Sequence, residues 1–250
     1  MFKAMRKASI VKAEYDKAVE LAPDLALPHL RLIQYCLIVP AMFGGGKDKA
    51  RAEANRVLEL NPFRGHMALA AIARKAGQDA EVEKEYGEAA KVAPDDARPW
   101  TRLSESLLKQ KRYAPAEEAA RKAVAAAPGV VFGWLALAKC LKAEEKVTDA
   151  LQVYRDAEKQ LGTHAFASYE ELEMRLSVPE IAGLAESTDR LAKAVAAGPR
   201  DCYGTAQAQR LLGDAYAKLG RADDARHAYE SCLAVIPDDK DAKRGLKKLG

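Results

Sequence analysis

The chain has 250 residues, 49% of them hydrophobic, 30% charged and 6% aromatic, with a formal net charge of +4. Such values fit a globular chain and exclude a disordered or collagen-like one, and so mild a basic excess does not by itself point to nucleic acid. No apolar run reaches the roughly 18 residues of a membrane span, because the longest candidate, 32–43, is broken by Gln34 and Pro40.

Prolines divide the chain. Pro23, Pro62, Pro94, Pro128, Pro199 and Pro237, with Gly162 standing in once, are spaced by 39, 32, 34, 34, 37 and 38 residues. A proline at such a place ends a helix and cannot continue it. Residues 2–21 read as one helix, with Val11, Tyr15 and Ala18 on one face ahead of Pro23. Lys3, Arg6, Lys7 and Lys12 deny this stretch the apolar centre of a signal peptide. The next segment, 24–62, predicts helices over 26–39 and 47–60, joined by PAMFGGGKD. Its three glycines permit either a tolerated loop insertion or an anion cradle at the start of the second helix. The sequence lacks GK[ST] after these glycines and so is no P-loop.

Segment 63–94 is short, with an Ala-rich helix over 65–75 and then Val82, Tyr86 and Ala89 in register. Segment 95–128 carries Trp100, Leu103, Ala116, Ala120 and Ala123, and 129–162 carries Trp134, Leu137, Leu141, Ala150, Tyr154 and Ala157. Segment 163–199 is irregular: Tyr169, Leu172 and Leu176 hold the first-helix places, and a Val178-Pro179 break precedes a long second helix. In 200–237, Leu212-Gly213 is followed by Tyr216, Ala225, Tyr229, Cys232 and Pro237. Residues 238–250 predict a polar terminal helix with Ala242, Leu246 and Leu249 on one side.

The skeleton L-G-x2-Y, A-x3-Y, small residue, proline resembles the tetratricopeptide repeat, whose period is 34 residues. The resemblance, of bacterial type, implies an all-α, right-handed α-solenoid of helix-turn-helix repeats running as a single array over residues 1–250. It divides that array into a lone second helix at 1–23, repeats at about 24–62, 63–94, 95–128, 129–162, 163–199 and 200–237, and a cap at 238–250. A second helix without its first leaves an apolar face uncovered, and self-association through it is one expectation. The GGG insertion is similar to one in bacterial exported repeat proteins, including some associated with TRAP-type transporters. The protein is expected in the cytoplasm if Met1 is the true start, and in the periplasm if a leader was removed.

Candidate chemistry is sparse. His29, His66, His164 and His227 have no metal-ligand spacing, and Cys36, Cys140, Cys202 and Cys232 form no C-x2-C pair. No disulfide between Cys202 and Cys232 follows from the spacing. Glu170, Glu171 and Glu173 read as a solvated helix face. No catalytic residue, metal or cofactor is expected. In the repeat family the first helix of each pair lines the concave surface, and the resemblance then places Arg98, Arg102, Glu105, Lys109, Phe132, Leu135, Lys139 and Lys142 in a basic groove with apolar spots. Such a groove suits a carboxylate-bearing peptide segment. A second, apolar surface would comprise Leu27, Leu30, Gln34, Leu37, His66 and Leu69. The expected function is a scaffold or adaptor that grips a segment of a partner protein. The alternative is a carrier of a lipid or small hydrophobic molecule in envelope transport. Arg98 and Arg102 match one part of the carboxylate clamp of chaperone-binding repeats, but Leu30, Gln34 and Ala70 depart from the rest of it.

Overall fold

The computed structural model describes residues 2–178, 182–198 and 203–250, and of residues 2–8 and 203 the backbone alone. Pro179, Pro199 and Cys202 therefore lie outside the described residues. Fourteen α-helices and one 3-10 turn, with no strand, make up the described chain, and the fold is an all-α tetratricopeptide solenoid. Two compact units divide it, residues 1–127 and 128–250.

In the first unit, α1 (Phe2–Leu21) is followed by the helix pairs α2 (Ala26–Ile38) with α3 (Lys47–Leu60), α4 (Pro62–Ala76) with α5 (Asp79–Val92), and α6 (Ala97–Lys109) with α7 (Tyr113–Ala126). The second unit contains α8 (Val131–Ala143) with α9 (Val147–Leu161), α10 (Ala165–Leu176) with α11 (Leu184–Ala197), α12 (Tyr203–Lys218) with α13 (Ala222–Val235), and the terminal α14 (Lys240–Leu249). The expected long second helix after Val178-Pro179 has 14 residues in α11, the same as α3, α5, α7 and α13.

Each second helix spends one row of side chains, at i, i+4 and i+7, on its partner. The rows are Ala50-Ala54-Val57, Val82-Tyr86-Ala89, Ala116-Ala120-Ala123, Ala150-Tyr154-Ala157, Leu184-Thr188-Leu191 and Ala225-Tyr229-Cys232, and none of these residues is more than 2% exposed. Small residues dominate the rows because a short side chain lets two helix axes approach. Gly213 on α12 shows the limit, since a Cβ there would lie 2.5 Å from the Tyr229 ring. The matching residue of each first helix is a buried leucine: Leu32, Leu69, Leu103, Leu137, Leu172 and Leu212. On α1 the equivalent row is only partly covered, with Val11 41% exposed and Ile10 beside it 54%.

Three residues before those leucines lies the place that Trp100 and Trp134 fill. Trp134 donates its indole N–H to the Pro128 carbonyl at 2.9 Å. His29 stands at the same place in the first pair and does the same, its Nε2 donating to the Pro23 carbonyl at 3.0 Å. Its Nδ1 lies 2.6 Å from Glu53 on α3. His66, at the equivalent place on α4, bonds Glu85 on α5 at 2.8 Å. Histidine thus stands at the tryptophan place in the first two repeats and there bolts the first helix to a glutamate of its paired second helix.

The GGG loop belongs to the end of α2. Gly44, Gly45 and Gly46 donate their N–H groups to Ala41, Pro40 and Cys36 carbonyls at 3.0, 3.2 and 2.9 Å. These donors satisfy the chain itself, which removes the anion-cradle reading and leaves a close-packed insertion. A Cβ on Gly45 would fall 1.9 Å from the Val39 carbonyl oxygen.

Two variants check these contacts. Replacing His29 by Phe keeps a ring but leaves the Pro23 carbonyl without its donor and Glu53 without its ring partner, and is expected to cost about 1–3 kcal/mol, read as faster amide exchange in α2 and α3. Unchanged exchange would contradict the bolt. Gly45→Ala is expected to cost about 1–3 kcal/mol through overpacking in chemical denaturation, and full stability in that variant would mean the loop is not packed as described.

Candidate functional site

The first helices of the first unit keep a consistent inward register. Counting from the Trp100 place, Leu27, Arg64 and Arg98 stand two residues earlier. Leu30 and Met67 stand one residue later, Arg31 and Ala68 two later, and Gln34 and Ala71 five later. Together with Leu37 and Phe63 they line an open groove of about 450 Å³ across α2, α4 and α6. Its floor is apolar and partly exposed, Leu27 at 55%. Its charged side chains are all arginines: Arg31, Arg64 and Arg98.

The local chain explains how these arginines are held. Asn61 caps α4 and accepts from Arg64 N at 2.9 Å, so the cap fixes the backbone from which Arg64 projects. Arg31 donates to Gln34 at 3.2 Å on its own helix. Arg98 lies over the Phe63 ring at 4.9 Å and donates its Nε to both oxygens of Asp96 at 2.9 Å. The hydrogen bond from Arg98 holds the Asp96 carboxyl below its usual value, against the opposing effect of burial.

From the predicted apolar surface, Leu27, Leu30, Gln34 and Leu37 line this groove; His66 instead bonds Glu85, and Leu69 is buried at 7%. From the predicted basic set, Arg98 joins them. Arg102 is turned to Glu105 at 2.9 Å on α6, and Lys109 is exposed at the end of that helix. In the second unit Phe132 is 60% exposed, Leu135 is buried at 4%, Lys139 lies 3.4 Å from Glu170, and Lys142 is exposed. Arg31, Arg64, Phe63 and Met67 escaped the sequence reading. Their signal was the register itself, since Arg64 repeats the place of Arg98 and Arg31 that of Arg102.

The acidic cluster is not a solvated face. Glu171 is 3% exposed, and one of its oxygens accepts from Arg175 at 3.2 Å and from Ser187 and Arg190 at 2.9 Å. Helix periodicity shows only Arg175, four residues on along α10, because Ser187 and Arg190 arrive from α11. Asp224, His227 and Ser231 line another depression, of about 490 Å³, on one side of α13. The residue types suit a hydrolytic relay, but Asp224 accepts from Arg221 at 2.7 Å instead of orienting the imidazole. Among the described residues no three His, Cys, Asp or Glu side chains are grouped to hold a metal, and no helix is long and apolar enough to cross a membrane. Cys36, Cys140 and Cys232 are buried.

Asp96 both caps α6 and holds Arg98 at the groove. Asp96→Ala is expected to lower stability by about 0.5–2 kcal/mol at neutral pH. Because the folded carboxyl titrates below its ordinary 3.8, that contribution is complete above this value and lost as pH falls through the lower folded one. The difference between wild type and variant in acid titrations should therefore shrink below about pH 4; a difference that grows there would contradict the pairing.

The tetratricopeptide-repeat description matches residues 97–129 and 206–239, the pairs α6–α7 and α12–α13. No curated protein matches the chain in sequence. Among solved structures, Pseudomonas aeruginosa pilF is similar over 88% of this chain and 97% of its own, at 17% identity and a TM-score of 0.57. The C-terminal part of a repeat-containing protein from Cytophaga hutchinsonii covers 97% and 99%, at 13% identity and 0.62. PilW, described as a widely conserved type IV pilus biogenesis factor, covers 87% and 98%, at 16% identity and 0.60. At such identities these likenesses concern the fold. The two matched segments carry the tetratricopeptide repeat, and the helix pairs between them bury the same rows of side chains.

Proposed function

We propose that the protein is a non-enzymatic adaptor whose first unit grips a segment of a partner protein in the groove across α2, α4 and α6. The observation that carries this reading is the combination of an apolar floor with three arginines and no carboxylate among the lining residues. An apolar concavity takes side chains from an extended or helical segment, while guanidinium groups select carboxylates. The fitting segment presents one or two large apolar residues flanked by Asp or Glu. Of the two surfaces expected from sequence, this reading combines Arg98 from the basic set with the apolar one. Arg31 and Arg64 carry most of the charge offered to a partner; Arg98, Arg102 and Lys139 contribute less, because Asp96, Glu105 and Glu170 already answer theirs.

A lipid carrier is the weaker reading. A carrier shields an acyl chain on most sides, whereas this groove is open and its leucines meet solvent.

The test uses labelled twelve-residue probes with a central Leu-Phe pair, flanked by acidic or by basic residues, and the full chain. Binding of the acidic probe is expected to weaken at least about tenfold, roughly 1.4 kcal/mol, in the Arg31→Glu/Arg64→Glu double variant, with helicity and melting temperature unchanged. Equal binding of both probes, or binding insensitive to the double change, would sink the assignment.

A further inference from the structure

Gly162 occupies the place where other repeats have proline, and it ends α9 with a positive φ of 70°. Behind this turn, inside the second unit, lies a cavity of about 10 Å³ bounded by Tyr154, Glu158, His164, Glu171 and Arg190. That is room for about one water molecule. Three polar atoms of its walls have no protein partner: the Tyr154 hydroxyl, His164 Nδ1 and Arg190 Nε. Tyr154 is 2% exposed, so its hydroxyl has no bulk solvent to turn to. Leaving such a group unanswered costs more than a typical hydrogen bond returns.

The chemistry of the walls selects the ligand. Arg190 donates from one terminal nitrogen to Glu158 at 2.9 Å and Glu186 at 3.2 Å and from the other to Glu171 at 2.9 Å, and Arg175 shares Glu171, so three carboxylates face two guanidiniums. An anion would meet that excess of negative charge. A cation would meet Arg190 Nε, which can only donate. A small neutral molecule that both accepts and donates meets neither objection. We infer that this cavity is a built site for a single bound water, which accepts from Arg190 Nε and donates to the Tyr154 hydroxyl or His164 Nδ1. The water bridges α9, the residue that caps the start of α10, and α11, at the turn where Gly162 stands in for proline. It also completes the hydrogen bonding of Arg190, whose two terminal nitrogens hold Glu158 and the buried Glu171.

Crystal structures of the full chain and of Tyr154→Phe, refined with ordered solvent, test this. In the wild type one water is expected within about 3.2 Å of Arg190 Nε and of the Tyr154 hydroxyl or His164 Nδ1. In Tyr154→Phe the water is expected to be lost, with the Glu171–Arg190 pair kept. Oxygen-17 relaxation dispersion in solution should count one fewer long-lived water in that variant, and the wild-type measurements decide alone if the variant does not fold. A bromide peak at the position after a halide soak, or walls collapsed onto one another with no water between them, would overturn the inference.

Discussion

Every helix pair among the described residues depends on one constraint: the second helix must seat a fully buried row of side chains against a leucine of the first. Alanine supplies half of that row. Tyr86, Tyr154 and Tyr229 are its aromatic members, each at 2% exposure, and in α11 Leu184 and Leu191 take the outer places. Where Tyr229 sits, α12 and α14 offer glycines, Gly213 and Gly245, because a methyl group would not fit over the ring. Close packing of this kind leaves little tolerance for added volume. The row and the leucines are committed to the interior, which leaves the opposite sides of the first helices for the proposed recognition.

That division explains what could be read in the sequence. The proline spacing located the helix pairs, and the leucine three residues after each Trp-like place located the core. Both are consequences of backbone geometry that recur with the period. The histidines were harder. Imidazole does not look like indole in a sequence, yet His29 and Trp134 send equivalent hydrogen bonds to the carbonyls of Pro23 and Pro128, the prolines at matching places of their repeats. What they share is a ring N–H at one register position, and no composition rule reports that. The buried charge of Glu171 was illegible for a different reason. Its partners Ser187 and Arg190 lie on another helix, and a pattern read along one helix cannot register them.

The groove was half legible. Its leucines and Gln34 follow from the inward register, and so does Arg98. Arg64 and Arg31 share places with Arg98 and Arg102, but they stand in repeats whose weak patterning made the alignment harder to see. The GGG insertion misled in the opposite direction. Glycine-rich loops invite a phosphate reading because their N–H groups are often unspent, and here all three are spent on the carbonyls of Cys36, Pro40 and Ala41. The general lesson is that a donor counts toward a site only after the backbone's own acceptors have been satisfied.

The partner proposed for the first unit would gain its specificity from charge and its affinity from a few apolar contacts. Guanidinium groups at the edge of an apolar floor speed encounter with acidic segments and reject basic ones, and truncating any single lining residue should matter less than reversing the rim. The most direct measurement of this account places a photo-crosslinking amino acid at Met67 in the groove and, separately, at exposed Arg226 on α13, and exposes each protein to the acidic apolar probe. The account predicts adducts from position 67 and none from 226. Adducts from 226 alone, or equal yields from both, would contradict it.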